Sequence, residues 1–356
     1  MSSSIAAREG KIQEVFRHEF TTMTVVLALL VIYSHVTSHA LLGYDKSSLA
    51  YGFVYFTKKL CAIAFYGFIF MSSAKYFATP RSESFRYGAF MLRRVRKIVL
   101  PYILWVLIYY AYFLRHGYFP FSVPELVKYI LTGTLVAHFY FIIVIMQFYL
   151  LMPLWHKLAK MKTAPIAAIT AACFIVTVIS QNCFPNFIYS DRIFPSYLFF
   201  WMLGILCGSR YDKFVGLLTR HRAMLLVEGA IIAAHLVLGY FSSRGIISYP
   251  YANTWHLVYV TALIFFAMYF AVVIKPEKIP FWRLLTAISG ASFYIYLTHI
   301  LVLFIVDSHT PGATITQRLI LRLVFAIVVP VALSIAYTTL SKKIRGRSLK
   351  AKAFKP

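Results

Sequence analysis

Apolar residues in this chain come in long runs divided by short charged or turn-rich breaks. A helix needs about 20 predominantly apolar residues to cross the hydrocarbon core of a bilayer. Measured against that length, the runs predict spans near 20–42, 59–79, 98–115, 133–154, 165–183, 194–209, 223–241, 255–274, 285–306 and 317–340. The expected fold class is all-α, a polytopic integral membrane protein with about ten transmembrane helices. The expected division is a cytoplasmic N-terminal segment at 1–19, a ten-helix membrane domain at 20–340 and a basic cytoplasmic tail at 341–356.

Composition strengthens this reading. Of 356 residues, 60% are hydrophobic and 13% charged, whereas soluble domains carry roughly 45–50% apolar and about 25% charged residues. A water-soluble globular enzyme is excluded. Ten spans consume about 200 residues, which leaves only short connections and no room for a second, extramembrane domain. The apolar run after the polar N-terminus is long, lacks a small-residue cleavage site and is one of many, so no cleaved signal peptide is expected. Cys61, Cys173, Cys183 and Cys207 are scattered without CxxC or metal spacing, which indicates neither a disulfide framework nor a zinc site.

Charge then supplies an orientation. The chain carries 36 Lys and Arg against 11 Asp and Glu, a net +25. Basic residues are retained on the cytoplasmic side, and placing both tails inside puts 26 of the 36 there. The opposite side holds far fewer, among them Lys46, Lys58, Lys59, Arg115, Lys128, Arg192 and Arg244, with Arg318 and Arg322 at the start of the last span. The excess therefore reads as a topology signal and not as a nucleic-acid footprint; membrane lipid is a partner and nucleic acid is not. Aromatics make up 18% of the chain and crowd the span ends, which suits an interfacial belt or a platform for an acceptor sugar. No internal repeat of the transporter kind is visible.

Ionisable groups within spans are expensive and mark functional sites by default. His35 and His39 lie one turn apart on one face of the first span. His35 stands 15 residues above Phe20, about 22 Å at 1.5 Å per residue, in the outer half of the bilayer. An imidazole there can take a proton from an alcohol, or it can simply hydrogen-bond between helices. A metal pair at His35 and His39 has no evident third ligand nearby, so no metal is expected. Arg93, Arg94, Arg96 and Lys97 put four cations in five residues before Pro101. Arginines so placed can hold phosphates in a bidentate manner, such as those of a coenzyme A thioester, or can anchor the span to lipid headgroups. His299 and Tyr296 share a helical face in the ninth span, with Asp307 near its outer end, and Gln147 lies in the fourth.

Taken in order, these segments resemble the acyltransferase-three family, ten-span membrane O-acyltransferases of bacterial envelopes. The resemblance rests on Val25 to His35, Gly67 to Ser73, Arg93 to Arg96 with Pro101-Tyr102, His138 to Pro153, and Ser292 to His299. It implies acyl transfer from cytoplasmic acetyl-CoA or succinyl-CoA, a co-substrate and not a tightly bound cofactor, to a hydroxyl of an envelope glycan or lipid-linked sugar. It also implies His35 as the catalytic residue, Arg93, Arg94 and Arg96 as donor-binding residues, and His39, Gln147, Tyr296 and His299 as candidate lining. A polysaccharide synthase complex is a further expected partner, and the cell membrane the expected location. Two departures stand out. Thr24 occupies the position, eleven residues before His35, where the family usually carries Arg or Lys, and Ser72-Ser73-Ala74 replaces its Ser-Gly pair. The family's frequent C-terminal esterase-like domain is not expected beyond the basic tail. A glycan exporter or flippase, and a structural partner of a synthase, are the readings of other classes.

Overall fold

The computed structural model describes residues 17–79, 85–183 and 187–353. The expected N-terminal segment up to residue 16, the connection residue Arg81 and the end of the chain from 354 lie outside the described residues, as do the side chains of Lys342 and of 345–356. Among the described residues every regular element is helical. In chain order the α-helices are α1 (His18–Gly43), α2 (Leu49–Leu60), α3 (Ile63–Phe77), α4 (Tyr87–Arg94), α5 (Leu100–Arg115), α6 (Val123–Thr132), α7 (Tyr140–Leu150) and α8 (Met152–Ala159). They continue with α9 (Thr163–Asn182), α10 (Leu198–Gly208), α11 (Tyr211–Arg220), α12 (Ala223–Ser243), α13 (Ala252–Val273), α14 (Trp282–His309) and α15 (Ile315–Ala353).

Each of the ten expected spans has a counterpart, but not all have full length. Eight helical stretches are long and apolar enough to cross a membrane, and α7 with α8 makes a ninth, bent by 61°. The sixth, Phe194–Gly208, is a shorter apolar helix. Leu151 lies between α7 and α8, and Pro153, which has no backbone N–H, sits in the first turn of α8. At the bend the Trp155 indole donates to the Phe148 carbonyl at 2.8 Å. The third span starts earlier than its apolar run. Helix α4 continues through a π-helical turn at Val95–Val99 into α5, and the stretch Tyr87–Arg115 is one candidate span. Pro101 removes a donor and crowds the preceding turn, and the wider π turn lies just before it. Arg93 to Lys97 therefore lie within a continuous helix, not at its entrance.

The chain groups into two compact units, residues 1–20 with 62–273 and residues 21–61 with 274–356. In the first, α3 and α10 approach closely enough to depend on small residues. A Cβ on Gly204 would stand 2.5 Å from the Phe70 carbonyl oxygen, and one on Gly208 would run into Ala74. Ser73 donates to the Trp201 carbonyl at 2.9 Å across the same seam. Small residues at four-residue spacing let helix backbones meet in lipid, and Ser73 and Ala74 face Gly204 and Gly208 across this seam. Helix α12 is inverted relative to a soluble helix: Leu226, Val227, Val237 and Leu238 are exposed while Glu228 and His235 are buried. That is the arrangement expected of a lipid-facing span.

In the second unit α14 and α15 form an antiparallel hairpin and α1 packs with them. Leu27, Ile32, Val36 and Ala40 of α1 and Ala291, Ile295 and Leu297 of α14 form its core. Ser48 caps α2, its hydroxyl accepting from the Tyr51 amide at 3.1 Å.

Candidate active site

The second unit brings four helices to one polar cluster. His35 of α1 meets His299 of α14 with ring centroids 5.3 Å apart and planes tilted by 50°. His299 is fully buried, and its Nδ1 lies 2.8 Å from the Tyr296 carbonyl oxygen one turn back. A carbonyl can only accept, so Nδ1 carries the proton and Nε2 presents the lone pair. Tyr296 itself places its ring 6.1 Å from that of His299. His35, Tyr296 and His299, separate in the sequence, are thus assembled at one place.

Cations surround this pair. Lys58 of α2 donates to the Ser34 carbonyl at 3.1 Å and to the Ser38 hydroxyl. Arg322 of α15 is 8% exposed, donates to the Val36 carbonyl at 3.3 Å, and stands 3.4 Å from Asp307. The two cations therefore hold the carbonyls of the residues on either side of His35. Arg318 donates to His39 Nε2 at 3.2 Å and to the carbonyls of Thr310 and Pro311. His39 lies on the same face as His35 but is engaged by Arg318. Reading from the sequence assigned Lys58, Arg318 and Arg322 to the basic-poor side without a role. Their position inside apolar runs, on the side where retention does not call for cations, is the signal that could have found them.

The remaining expected site residues belong to the first unit. Arg93 and Arg96 are exposed. Arg94 packs its guanidinium over Tyr149 at 4.4 Å and over Phe90 at 4.8 Å, a cation–π arrangement. The three arginines are therefore not equivalent: two present open donors and one is held against aromatics. Gln147 spends its amide on backbone, donating to the Arg192 carbonyl at 2.7 Å and accepting from the Phe194 amide at 2.9 Å. It ties α7 to the connection before α10. Among the described residues no three metal-ligating side chains converge.

Helical spans, a histidine pair of which His299 is buried, and basic side chains held inside the apolar layer describe a membrane protein with a polar site built between its helices. The acyltransferase domain family matches residues 18–339, and the chain belongs to this family, the acyltransferase-three family that its ordered motifs resemble. A relative in Bacillus subtilis (strain 168), YfiQ, provisionally named a membrane-bound acyltransferase, is 30% identical over 175 residues, which cover 45% of this chain and 46% of that protein. The match thus spans less than half of the curated relative's length. No solved structure matches the chain.

Proposed function

We propose that this protein is a membrane O-acyltransferase that moves an acetyl or succinyl group from cytoplasmic acyl-CoA to a hydroxyl of a cell-envelope polysaccharide or lipid-linked glycan, in the bacterial cytoplasmic membrane. Family membership supports the reaction class, and the observation that carries the site is the contact between His35 and His299. His35 accepts the hydroxyl proton while the acceptor oxygen attacks the thioester carbonyl. The carbon–sulfur bond then breaks, and coenzyme A leaves as the thiol with that proton. His299, its tautomer set by the Tyr296 carbonyl, holds a lone-pair nitrogen beside the base and orients it. Arg93 and Arg96 take the donor's phosphates in bidentate contacts. Within the family, the run Tyr140 to Phe148 resembles that of staphylococcal intercellular adhesion protein C, which supports an exopolysaccharide as the acceptor.

The test is reconstitution of the full chain with labelled acetyl-CoA and succinyl-CoA, followed by mass analysis of the envelope polymer. The expected result is a donor-dependent mass increase on the glycan. A general base contributes about 10²–10⁴ in rate, so a folded His35→Ala protein should lose about that much. Full transfer by that variant would remove His35 from the chemistry. Transport of unmodified glycan without any use of acyl-CoA would instead favour an exporter or flippase.

A further inference from the structure

The cations inside the apolar stretches of the second unit differ in what answers their charge. Arg322 has Asp307 at 3.4 Å, and Arg318 closes the end of α14 through the carbonyls of Thr310 and Pro311. No ion pair among the described residues includes Lys58. Lys58 is nine residues into α2 from Leu49, about 13 Å at 1.5 Å per residue, where an unpaired charge is costly. Its amine reaches α1 instead, donating to the Ser38 hydroxyl at 2.5 Å and to the Ser34 carbonyl at 3.1 Å. One residue earlier on both helices, Tyr33 donates to the Thr57 hydroxyl at 2.8 Å and fixes the seam.

A helical serine or threonine usually spends its hydroxyl on a carbonyl one turn back. Thr37 does only this, toward Tyr33 and Ser34. Ser38 does it as well, donating to the Ser34 carbonyl at 2.7 Å, but its oxygen also receives the Lys58 amine. Hydroxyl, amine and carbonyl therefore close a small triangle. If the hydroxyl turns from the carbonyl to the nitrogen lone pair of a neutral Lys58, the amine can take its proton while an N–H stays on the Ser34 carbonyl. A hydroxyl at hydrogen-bond distance from a base is an activated nucleophile, and a serine with a lysine is one of its recurring forms. A desolvated lysine without a counterion is the kind that serves as such a base. Ser38 stands three residues beyond His35 on α1, so the two side chains are neighbours, and it lies about 4–5 Å nearer the Gly43 end.

We propose that Ser38 is an acyl-carrying nucleophile with Lys58 as its base, and that the acyl group passes through a Ser38 ester on its way to the glycan. In the first step the Ser38 oxygen attacks the thioester carbonyl and Lys58 takes the hydroxyl proton. The carbon–sulfur bond breaks, and coenzyme A leaves as the thiol with that proton. In the second step the glycan hydroxyl attacks the ester carbonyl and gives its proton to His35. The bond from the acyl carbon to the Ser38 oxygen breaks, and His35 returns the proton to that oxygen. The single displacement thus becomes two, with His35 still the base for the acceptor. The ester holds the acyl group nearer the Gly43 end of α1 than His35 stands, so coenzyme A can leave before the glycan arrives.

The proposal rests on the acyltransferase reading, and the experiment separates their failures. Full-length protein in nanodiscs is given acetyl-CoA and labelled free coenzyme A with no glycan present. Label should enter acetyl-CoA, because a Ser38 ester returns its acyl group to the coenzyme A thiol, and acid-quenched protein should carry an acetyl group on Ser38 by peptide mass analysis. Ser38→Ala should lose both signals, and Lys58→Gln should slow the exchange by about 10²–10⁴, the contribution of a general base. Lys58→Arg keeps the charge and the donors but cannot give up its proton, so it should be as slow as Lys58→Gln; exchange at the wild-type rate would make Lys58 a structural cation. Glycan acetylation by the wild-type protein with neither exchange nor acyl-Ser38, measurements that need no variant to fold, would overturn the proposal and leave direct transfer standing. An acyl group carried on another residue would overturn it as well. Absence of both exchange and glycan acetylation would sink the acyltransferase reading itself.

Discussion

A single imidazole in an apolar run says little, because a histidine between helices is as easily a packing group as a base. What changes its meaning here is the company that four helices supply. His35 gains His299 at 5.3 Å between ring centroids, with Lys58 and Arg322 on the carbonyls beside it. His35, His39, Tyr296 and His299 were each legible in the sequence as polar groups within spans, but their grouping was not. Residues more than 250 positions apart meet only once α1, α14 and α15 are packed. Lys58 and Arg322 were visible and passed over, since counting charges by side treats a basic residue as a topology marker whatever its depth. Glycine carries a different kind of information. Gly204 and Gly208 meet the backbone of α3 with no space for a side chain, and a bulky residue there must force the helices apart. Gly208→Val should destabilise the protein by about 1–3 kcal/mol, the usual cost of overpacking. Thermal unfolding in detergent reads this directly, with Gly216→Val, where nothing lies within 4 Å, as the control expected to change little.

Among the described elements, hydropathy located the eight long apolar helices and the bent pair, took the shorter Phe194–Gly208 for a full span, and mistook where helices begin. Apolarity marks what lipid requires, while the helix itself continues for as long as its backbone bonds are satisfied. For that reason Tyr87–Arg115 reaches well beyond the expected 98–115, and the arginine cluster acquires helical faces. The π turn at Val95–Val99 and the bend after Leu151 both lie beside prolines, a signal the sequence contained but whose geometry it did not specify. Helical placement sorts the arginines by what they touch. Arg94 lies over Phe90 and Tyr149, so Arg94→Ala should lower the melting temperature, with any loss of donor binding following from that. Arg93→Ala and Arg96→Ala should leave stability near wild type, since surface substitutions usually stay within about 0.5 kcal/mol, and should weaken acyl-CoA binding. Equilibrium binding of labelled acyl-CoA, run beside thermal melts, distinguishes the two. Unchanged donor affinity in both exposed variants would make the cluster a lipid anchor.

For the whole molecule the net +25 on a chain that is 60% hydrophobic resolves into two unequal parts. Most of the basic residues sit in the breaks between the expected spans, and their retention on one side predicts both tails there. A few, Lys58, Arg318 and Arg322, lie in the layer where cations are costly, and these are the ones gathered around the histidines. The division holds only if the connections 44–48 and 310–314 face away from the cytoplasm. A native cysteine provides the test. Cys183 is exposed just after α9, while Cys61, Cys173 and Cys207 are buried. Helix α9 runs from Lys162 on the basic-rich side, so Cys183 is expected outside. A membrane-impermeant maleimide applied to intact cells should label the wild-type protein once and Cys183→Ser not at all. A cysteine introduced at Lys278 should react only after permeabilisation. Labelling in the reverse pattern would invert the topology and place His35 on the cytoplasmic side, where it would meet acyl-CoA directly and an envelope glycan not at all.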